Sequence, residues 1–191
     1  MQEKQFGFGI IGAGTIAEIH ALAIGAMPNT KLYGVYSISK NKSQVFADKH
    51  GCASYDTLEA LLNVSEIEIV CICTPSGIHM EPALKCIEAG KHCVIEKPLE
   101  ITLDKCDRII DAADKAGIKT AVIFPSRFYE GSQRIKRAVE EHRFGDMVLG
   151  SAYVKWSRSD SYYQSATWRG TWDLDGGGAL MNQGIHSVDL L

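Results

Sequence analysis

The chain has 191 residues, a mass of 20.9 kDa, a formal net charge of −3 from 20 Lys and Arg against 23 Asp and Glu, and 46% apolar residues. This composition excludes an intrinsically disordered chain and a strongly basic nucleic-acid-binding protein. No apolar run approaches the roughly 18 residues that span a bilayer, and the N-terminus lacks a signal-peptide pattern. We therefore expect a cytoplasmic protein without a membrane segment.

Short apolar strands alternate with helices through the first two thirds of the chain, which is typical of a parallel sheet covered by helices on both faces. Strands are predicted at residues 6–11, 31–37, 52–55, 67–73, 92–95 and 118–124, and helices at 15–27, 42–50, 58–62, 78–89 and 103–117. Asp56 and Thr102 are predicted to cap the helices that follow them. The fold class is therefore α/β, with a doubly wound parallel Rossmann sheet over residues 1–125.

Residues 126–191 have a different character. They predict an amphipathic helix at 133–143, a long alternating strand at 147–156, a polar aromatic loop at 157–175 and a helix at 179–191. One strand does not supply a core for a second domain. We interpret this segment as the N-terminal part of a truncated α+β substrate domain whose remainder is absent.

The cysteines and most histidines carry no recognisable chemistry. The six cysteines include no C-x-x-C pair, so we expect reduced, mostly buried thiols rather than redox or metal ligands. His20, His50, His92 and His142 have no companion at ligand spacing, and no metal site is predicted.

The first strand and first helix are joined by a G-x-G-x-x-A motif, from Gly12 to Ala17. Gly12 permits a tight turn, Gly14 lets the backbone approach a pyrophosphate, and Ala17 allows close packing of the helix. The free N–H groups of Thr15 and Ile16 lie at the start of the helix and favour the binding of an anion. The motif predicts that the chain binds a dinucleotide.

The end of the second strand bears on the choice between NAD and NADP. NAD-binding proteins carry an acid about 20 residues after the motif, whereas this chain has Ser37 followed by Lys40 and Lys42 and no carboxylate. Hydroxyls and lysines suit a 2′-phosphate, so NADP is predicted in preference to NAD. The alternative is that the two lysines form only a solvated start of a helix.

Several further motifs follow in order along the chain. They are Thr74-Pro75 with His79, Glu96-Lys97-Pro98, Arg127-Phe128, Trp168-Arg169, and Gly176-Gly177-Gly178 leading to Asn182, His186 and Asp189. With the glycine motif, they resemble the Gfo/Idh/MocA oxidoreductase family over the whole chain. The resemblance implies a Rossmann domain followed by a substrate domain with an open sheet. Family members are longer, so it also implies that this chain is a fragment, and that the complete protein is a homo-oligomer.

The resemblance implies that Lys97 is the catalytic lysine and that His186 is the active-site acid or base. A lysine at the carboxyl end of a parallel strand lies in the ligand crevice of such folds, where it can stabilise charge on a substrate oxygen. Asn182, four residues before His186, shares its helix face. Many relatives have aspartate at this position, and an amide positions a hydroxyl without relaying a proton, so the acid–base role falls to His186 and Lys97.

The resemblance also implies which residues bind ligands. Cofactor contacts are expected from Thr74, Pro75, His79, Glu96 and Lys97, and substrate contacts from Lys97, Arg127, Trp168, Arg169, Asn182 and His186. Glu96 has a second interpretation, in which it orients Lys97 or caps the following segment. The aromatic residues Tyr162, Tyr163 and Trp172 either stack on a ligand or pack within the protein.

These observations predict an NAD(P)-dependent oxidoreductase that transfers a hydride between nicotinamide and a hydroxyl-bearing carbon of a sugar, cyclic polyol or nucleotide-sugar. Two alternatives stay open. One is a cofactor-retaining glycosidase or lyase of the same family, and the other is a non-catalytic dinucleotide-binding regulator. A fragment of this length can also bind cofactor and be inactive.

Overall fold

A computed structural model describes residues 4–191, which divide into two compact units. The first unit ends at Val122 and the second spans Ile123–Leu191. This division lies close to the domain boundary predicted between residues 125 and 126. Within residues 4–191, no helix combines the length and the apolar character needed to cross a membrane.

The first unit is built on a sheet of six parallel strands. They are β1 (Phe6–Ile11), β2 (Thr30–Tyr36), β3 (Ala53–Tyr55), β4 (Ile69–Ile72), β5 (His92–Ile95) and β6 (Thr120–Val122). Their spatial order is β3-β2-β1-β4-β5-β6, with every neighbouring pair parallel. The chain thus runs from the centre to one edge and then returns to the other side, and the order reverses between β1 and β4. This confirms the predicted doubly wound Rossmann sheet.

Five α-helices connect these strands. They are α1 (Thr15–Ala26), α2 (Lys40–His50), α3 (Leu58–Leu62), α4 (Met80–Glu88) and α5 (Leu103–Ala116), with a short 3-10 turn at Ser76–Ile78 before α4. Thr102 caps α5 as predicted, because its hydroxyl accepts a hydrogen bond from the Lys105 N–H at 3.4 Å. The helices therefore begin and end close to where the sequence indicates.

The prediction that Asp56 caps α3 is wrong. Thr57 holds the cap position, with an extended backbone and a hydroxyl that accepts a hydrogen bond from the Ala60 N–H at 3.1 Å. Asp56 lies one residue too early to reach that N–H group. Its carboxylate instead lies 2.7 Å from Lys40 Nζ, in an exposed ion pair.

The core forms on both faces of the sheet because successive residues of a buried strand point in opposite directions. Ile10 packs against the face that carries α1 and α2, and the adjacent Ile11 packs against the face that carries α3, α4 and α5. The first face buries Ala17, Ile24, Val35, Phe46 and Cys71, and the second buries Leu61, Val70, Ile72, Ala83, Cys86, Ile95 and Ile109. Covering helices on two faces explain why these strands are apolar throughout rather than alternating.

The cysteines follow the same pattern. All six are free, and Cys71, Cys73, Cys86 and Cys93 are buried, which confirms the expectation of mostly buried thiols. Burial raises the pKa of Cys71 to about 12, so its reactive thiolate is scarce at neutral pH. Across residues 4–191, His, Cys, Asp and Glu do not gather into a group of three or more that could hold a metal ion.

The second unit, all of whose residues are described, consists of helices joined by irregular segments. A 3-10 turn at Pro125–Phe128 is followed by α6 (Glu130–Glu140), α7 (Asp160–Gln164), α8 (Trp172–Asp175), a π-helix at Leu180–Gly184 and α9 (Ile185–Leu190). The helices predicted at 133–143 and 179–191 are present with shifted bounds. The predicted loop at 157–175 contains α7 and α8, two short helices that its polar composition did not suggest.

The strand predicted at residues 147–156 is not formed. The alternating pattern is present in the sequence, but no described residue of the second unit offers a neighbouring strand to pair with it. A strand requires hydrogen bonds from a neighbour because a single extended segment cannot satisfy its own backbone. Residues 147–153 are accordingly exposed.

Candidate functional site

The turn between β1 and α1 is shaped by Gly12. Its N–H donates a hydrogen bond to the Tyr36 carbonyl at 2.8 Å, and its φ angle is 102°, a conformation that favours glycine. A Cβ atom at this position would lie 2.6 Å from the carbonyl oxygen of Cys73, just beyond the end of β4. The turn is therefore packed against the backbone at the point where the strand order reverses, which is where this type of sheet binds ligands.

The N-terminus of α1 is open. Gly14 holds the cap position without a side chain to cap the helix, it is exposed, and no atom lies within 4 Å of where its Cβ would be. Thr15 and Ile16 follow in the first turn, whose free N–H groups and helix dipole favour an anion. A backbone that a ligand can approach closely, beside unpaired N–H donors, fits the pyrophosphate of a dinucleotide.

The residues after β2 form the position predicted to select between NAD and NADP. The Ser37 hydroxyl accepts a hydrogen bond from the Ser39 N–H at 3.4 Å, and Lys42 is exposed at the start of α2. Lys40 is the residue paired with Asp56, but both side chains are about three-quarters exposed. An exposed pair of this kind is weak, so both lysines can turn toward an anion.

His79 directly follows the 3-10 turn at Ser76–Ile78, after β4. Its side chain is 1% exposed, with Nδ1 2.9 Å from the Pro98 carbonyl oxygen and Nε2 3.0 Å from the Thr74 carbonyl oxygen. A neutral imidazole has one N–H and donates to one of these at a time, whereas an imidazolium donates to both. The ring thus joins the two segments that follow β4 and β5. Its direct contact with a cofactor stays a prediction.

Glu96 anchors the segment that carries Lys97. It is 7% exposed, its Oε1 accepts a hydrogen bond from His20 Nε2 at 2.9 Å, and its Oε2 accepts one from the Lys97 N–H at 3.2 Å. The Glu96 N–H in turn donates to the Ile72 carbonyl at 3.0 Å. Both carboxylate oxygens are therefore engaged within the protein, which matches the interpretation that Glu96 orients Lys97.

His20, for which no chemistry was predicted, is the residue that contacts Glu96. His20 is three residues after Ala17 and four before Ile24, so it lies on the buried stripe of α1, and its side chain is only 11% exposed. A polar residue on such a stripe needs a hydrogen-bond partner. That spacing was the available signal, although it does not identify Glu96 as the partner because the two residues are 76 positions apart.

In the second unit, the side-chain amide of Asn182 is hydrogen-bonded to the buried carboxylate of Asp175. Asn182 Nδ2 donates to Asp175 Oδ1 at 2.7 Å, and the Gly170 N–H donates to Asp175 Oδ2 at 2.8 Å. Asp175 is 3% exposed. It is a second residue that sequence reasoning missed, since it appeared only as the last position of the polar loop.

His186 lies in the first turn of α9, directly after the π-helix that contains Asn182. Its ring is half-buried and makes an edge-to-face contact with Phe124, with ring centroids 6.1 Å apart. The π-helix is a wider turn than an α-helix and is frequently found at functional sites. The four-residue spacing of Asn182 and His186 thus falls on an irregular helix rather than the regular one predicted.

Trp168 and Arg169, both predicted to bind substrate, form one stack with Tyr162. The Arg169 guanidinium carbon lies 4.2 Å from the Tyr162 ring centroid and 4.8 Å from the Trp168 ring centroid. The Tyr162 hydroxyl accepts hydrogen bonds from Arg169 Nη1 at 2.5 Å and from Gln183 Nε2 at 3.1 Å. Tyr162 therefore packs within the protein, and substrate contacts by Trp168 and Arg169 stay predictions.

Arg127 has a partner that its predicted role did not include. Its Nε donates to Asp189 Oδ2 at 2.8 Å and its Nη2 donates to Asp189 Oδ1. The carboxylate raises the pKa of Arg127, and the guanidinium holds the pKa of Asp189 below its usual value. The bidentate pair ties the turn at Pro125–Phe128 to α9, and a substrate contact by Arg127 stays a prediction.

The sheet order, the Gly12 turn and the open end of α1 together define a dinucleotide-binding Rossmann protein. The sequence model of the GFO_IDH_MocA oxidoreductase family, described as an NAD-binding Rossmann fold, matches residues 6–124. The model of the GFO/IDH/MocA C-terminal domain matches residues 132–191. The chain belongs to the Gfo/Idh/MocA family, as the sequence motifs indicated.

Individual relatives agree with this assignment. The chain is 29% identical to glucose-6-phosphate 3-dehydrogenase of Bacillus subtilis (strain 168) over 96% of its own length and 52% of that protein. It is 32% identical to D-glucoside 3-dehydrogenase of Escherichia coli (strain K12) over 94% of its length and 51% of that protein. The chain thus spans about half the length of these relatives.

A solved structure is similar over the whole chain. The crystal structure of the WlbA dehydrogenase from Bordetella pertussis, in complex with NADH and UDP-GlcNAcA, has a TM-score of 0.95 and 32% sequence identity. The match covers 100% of this chain and 55% of that one.

Proposed function

We propose that this chain belongs to an NAD(P)-dependent oxidoreductase that transfers a hydride between nicotinamide and a hydroxyl-bearing carbon of a sugar, cyclic polyol or nucleotide-sugar. The observation that carries the proposal is the Gly12 turn with the open N-terminus of α1, placed where the strand order reverses. The relatives support the substrate class, since two are named as 3-dehydrogenases of glucose derivatives and WlbA was crystallised with a nucleotide-sugar.

Each proposed catalytic residue has a distinct role. When bound, a nicotinamide dinucleotide supplies the group that accepts or donates the hydride. The Lys97 ammonium would donate a hydrogen bond to the substrate oxygen and stabilise negative charge there, while Glu96 holds its backbone in place. His186 would take or give the hydroxyl proton, because imidazole titrates near neutral pH. Asn182 would orient the hydroxyl without exchanging a proton with it.

For the dinucleotide, we propose NADP in preference to NAD. The proposal is supported by the Ser37 hydroxyl and the exposed Lys42 after β2, where the sequence has no carboxylate to bind a ribose 2′-hydroxyl. We expect NADPH to bind more tightly than NADH, and Lys42→Ala to narrow the difference. Because WlbA holds NADH, tighter binding of NADH by this chain would contradict the preference and align the chain with WlbA.

The catalytic proposal is tested with Lys97→Ala and, as a matched control, Lys115→Ala, which changes an exposed lysine on α5. The chain is incubated with NAD⁺ or NADP⁺ and a panel of glucose 6-phosphate, a D-glucoside, myo-inositol and UDP-GlcNAcA, and reduced nicotinamide is followed by absorbance. We expect Lys97→Ala to lower turnover about a hundredfold or more while dinucleotide affinity stays nearly intact. The control variant is expected to match the parent in both. Unchanged turnover in Lys97→Ala, or a folded chain that binds neither dinucleotide, would contradict the proposal.

A further inference from the structure

Asp175 is the most deeply buried acidic side chain of the second unit and has no role in the function proposed above. We propose that Asp175 is a positioning residue, which fixes the side-chain amide of Asn182 and ties it to the loop that carries Trp168 and Arg169. This inference rests on the proposed function, because it concerns residues assigned to substrate.

The geometry of Asp175 engages both of its oxygens. Oδ1 accepts from Asn182 Nδ2 at 2.7 Å and Oδ2 accepts from the Gly170 N–H at 2.8 Å. Hydrogen bonds to an ionised carboxylate are shorter and stronger than neutral ones. At 3% exposure, water does not compete for these oxygens, so removing the charge or either donor leaves a buried polar group without its partner.

This contact decides which way the Asn182 amide points. An ionised carboxylate only accepts hydrogen bonds, so the nitrogen of the amide must face Asp175. The amide oxygen is then turned away from Asp175, where it can accept a hydrogen bond from a substrate hydroxyl. An amide that could rotate by half a turn would present a donor or an acceptor at random, and Asp175 removes that freedom.

The same contact explains why asparagine, rather than aspartate, suits position 182 in this chain. A carboxylate there would face the buried carboxylate of Asp175, and two such charges in contact cannot both ionise at low cost. Asn182 is compatible with this neighbour because its side-chain N–H group donates a hydrogen bond to the carboxylate. The residue pair 175 and 182 therefore forms a matched acceptor and donor.

The backbone on both sides of Asp175 fixes the carboxylate. The Asp175 N–H donates to the Thr171 carbonyl at 3.0 Å, which closes the short helix α8. Gly176 follows with φ 65° and ψ −124°, a conformation that is open essentially to glycine alone. The chain can therefore leave α8 sharply and return to the π-helix, which brings position 182 back to position 175.

Three variants test the proposal. Asp175→Asn removes the charge and replaces one of the two accepting oxygens with an NH₂ group. The new amide can therefore accept a hydrogen bond from only one of the two N–H donors, Asn182 Nδ2 and the Gly170 N–H. Asp173→Asn is the matched control, because Asp173 is exposed on the same helix. The exchanged pair, Asp175→Asn with Asn182→Asp, restores both hydrogen bonds, since the new amide at 175 can accept from Gly170 and donate to the new carboxylate at 182.

Two measurements are made on each variant of the full chain. The side-chain NH₂ signals of asparagine in ¹⁵N-labelled protein, assigned to Asn182 by comparison with Asn182→Asp, report the hydrogen bond to Asp175 directly. Turnover and KM on the most active member of the sugar panel report its effect on catalysis, and NADPH affinity serves as the internal control. A purely structural residue would change stability without moving kcat at saturating substrate.

We expect Asp175→Asn to shift the Asn182 NH₂ signals and speed their exchange with water, and to lower kcat about tenfold to a hundredfold at unchanged NADPH affinity. Asp173→Asn is expected to match the parent, and the exchanged pair to recover most of the lost kcat. Unaltered NH₂ signals or unaltered kcat in Asp175→Asn would overturn the proposal. If Asp175→Asn does not fold, the kcat of the exchanged pair is compared with that of the parent. A folded exchanged pair whose kcat is far below that of the parent would overturn the proposal.

Failure of the proposed function gives a different result. A folded parent chain that binds neither NADPH nor NADH contradicts the oxidoreductase proposal. The NH₂ signals of Asn182 would still show whether Asp175 orients the amide, because that measurement requires no substrate.

Discussion

Alanine substitutions at Gly12, Gly14 and Gly51 separate two effects at the turn before α1. One is steric strain in the folded chain, and the other is the loss of ligand binding. Gly12 has φ 102° and would place a Cβ 2.6 Å from the Cys73 carbonyl oxygen. Gly51 has φ 66° with no atom within 4 Å, so its substitution introduces backbone strain alone. Gly14 combines a φ of −97° with no nearby atom, so alanine there introduces neither effect.

The expected losses of unfolding free energy follow from these differences. A non-glycine residue at positive φ costs about 1 kcal/mol or more, which is the expected loss for Gly51→Ala. Gly12→Ala adds a contact that the Cys73 carbonyl must move to relieve, and overpacking of this kind costs about 1–3 kcal/mol more, giving about 3 kcal/mol in total. For Gly14→Ala, a poorer helix cap and a less flexible unfolded chain offset each other to within about 0.5 kcal/mol.

Urea unfolding of the three variants and the parent, followed by far-UV circular dichroism, measures these losses. We expect the order Gly12→Ala, Gly51→Ala, Gly14→Ala, from the most to the least destabilised. A loss in Gly12→Ala no greater than that in Gly51→Ala would show that the turn does not press against the Cys73 carbonyl.

Three further predictions concern stability and reactivity. Thr57→Ala should lower the free energy of unfolding by about 1 kcal/mol. Asp56→Ala should leave it nearly unchanged because its ion pair is exposed. Urea titrations that show a larger loss for Asp56→Ala than for Thr57→Ala would restore Asp56 as the cap of α3. The pKa of Asp189 is lowered by Arg127, so the stability that this ion pair provides is present above the unfolded pKa of about 4 and is lost as the pH falls through the lower folded pKa. Thermal melts followed by the fluorescence of the three tryptophans, all in the second unit, should show Asp189→Asn less stable than the parent near neutral pH, with the gap closing in acid, and a gap of constant size would argue against the ion pair. Cys71, with its pKa raised to about 12 by burial, should resist a thiol reagent at about pH 8 until the protein is unfolded, and rapid labelling of the native chain at Cys71, located by peptide mapping, would show that this thiol is accessible.

The fold of the first unit was largely predictable because its signals are local. An apolar strand such as Phe6–Ile11, a glycine turn and a following helix occupy consecutive residues, and repetition of that unit determines a parallel sheet. Capping is less certain because Asp56 and Thr57 are both good caps. The choice between them depends on the backbone angles, which composition does not specify.

The second unit shows the opposite case. The alternation over residues 147–156 is a valid strand signal, but a strand depends on a hydrogen-bonded neighbour that the sequence of the segment itself does not supply. The short helices Asp160–Gln164 and Trp172–Asp175 were missed because they are too short to display a period.

Motifs in the sequence identify candidate site residues, whose catalytic roles stay predictions, but they do not identify the residues that contact and position them. Gly12, Lys97 and His186 belong to motifs at characteristic positions. His20 and Asp175 belong to no motif, and their contacts with Glu96 and Asn182 form only when the chain folds. Contacts between distant positions depend on tertiary structure, and no spacing rule on one sequence identifies them.

Isothermal titration calorimetry shows whether the turn after β1 binds a nicotinamide dinucleotide. NADPH and NADH are titrated into the parent chain and into Gly14→Ala, whose stability is expected to match the parent. We expect one binding site per parent chain. In Gly14→Ala we expect binding to be weakened about tenfold or more, because the added methyl group keeps the backbone away from the pyrophosphate. A folded parent chain that binds neither dinucleotide, or a Gly14→Ala variant that binds as tightly as the parent, would contradict dinucleotide binding at this turn.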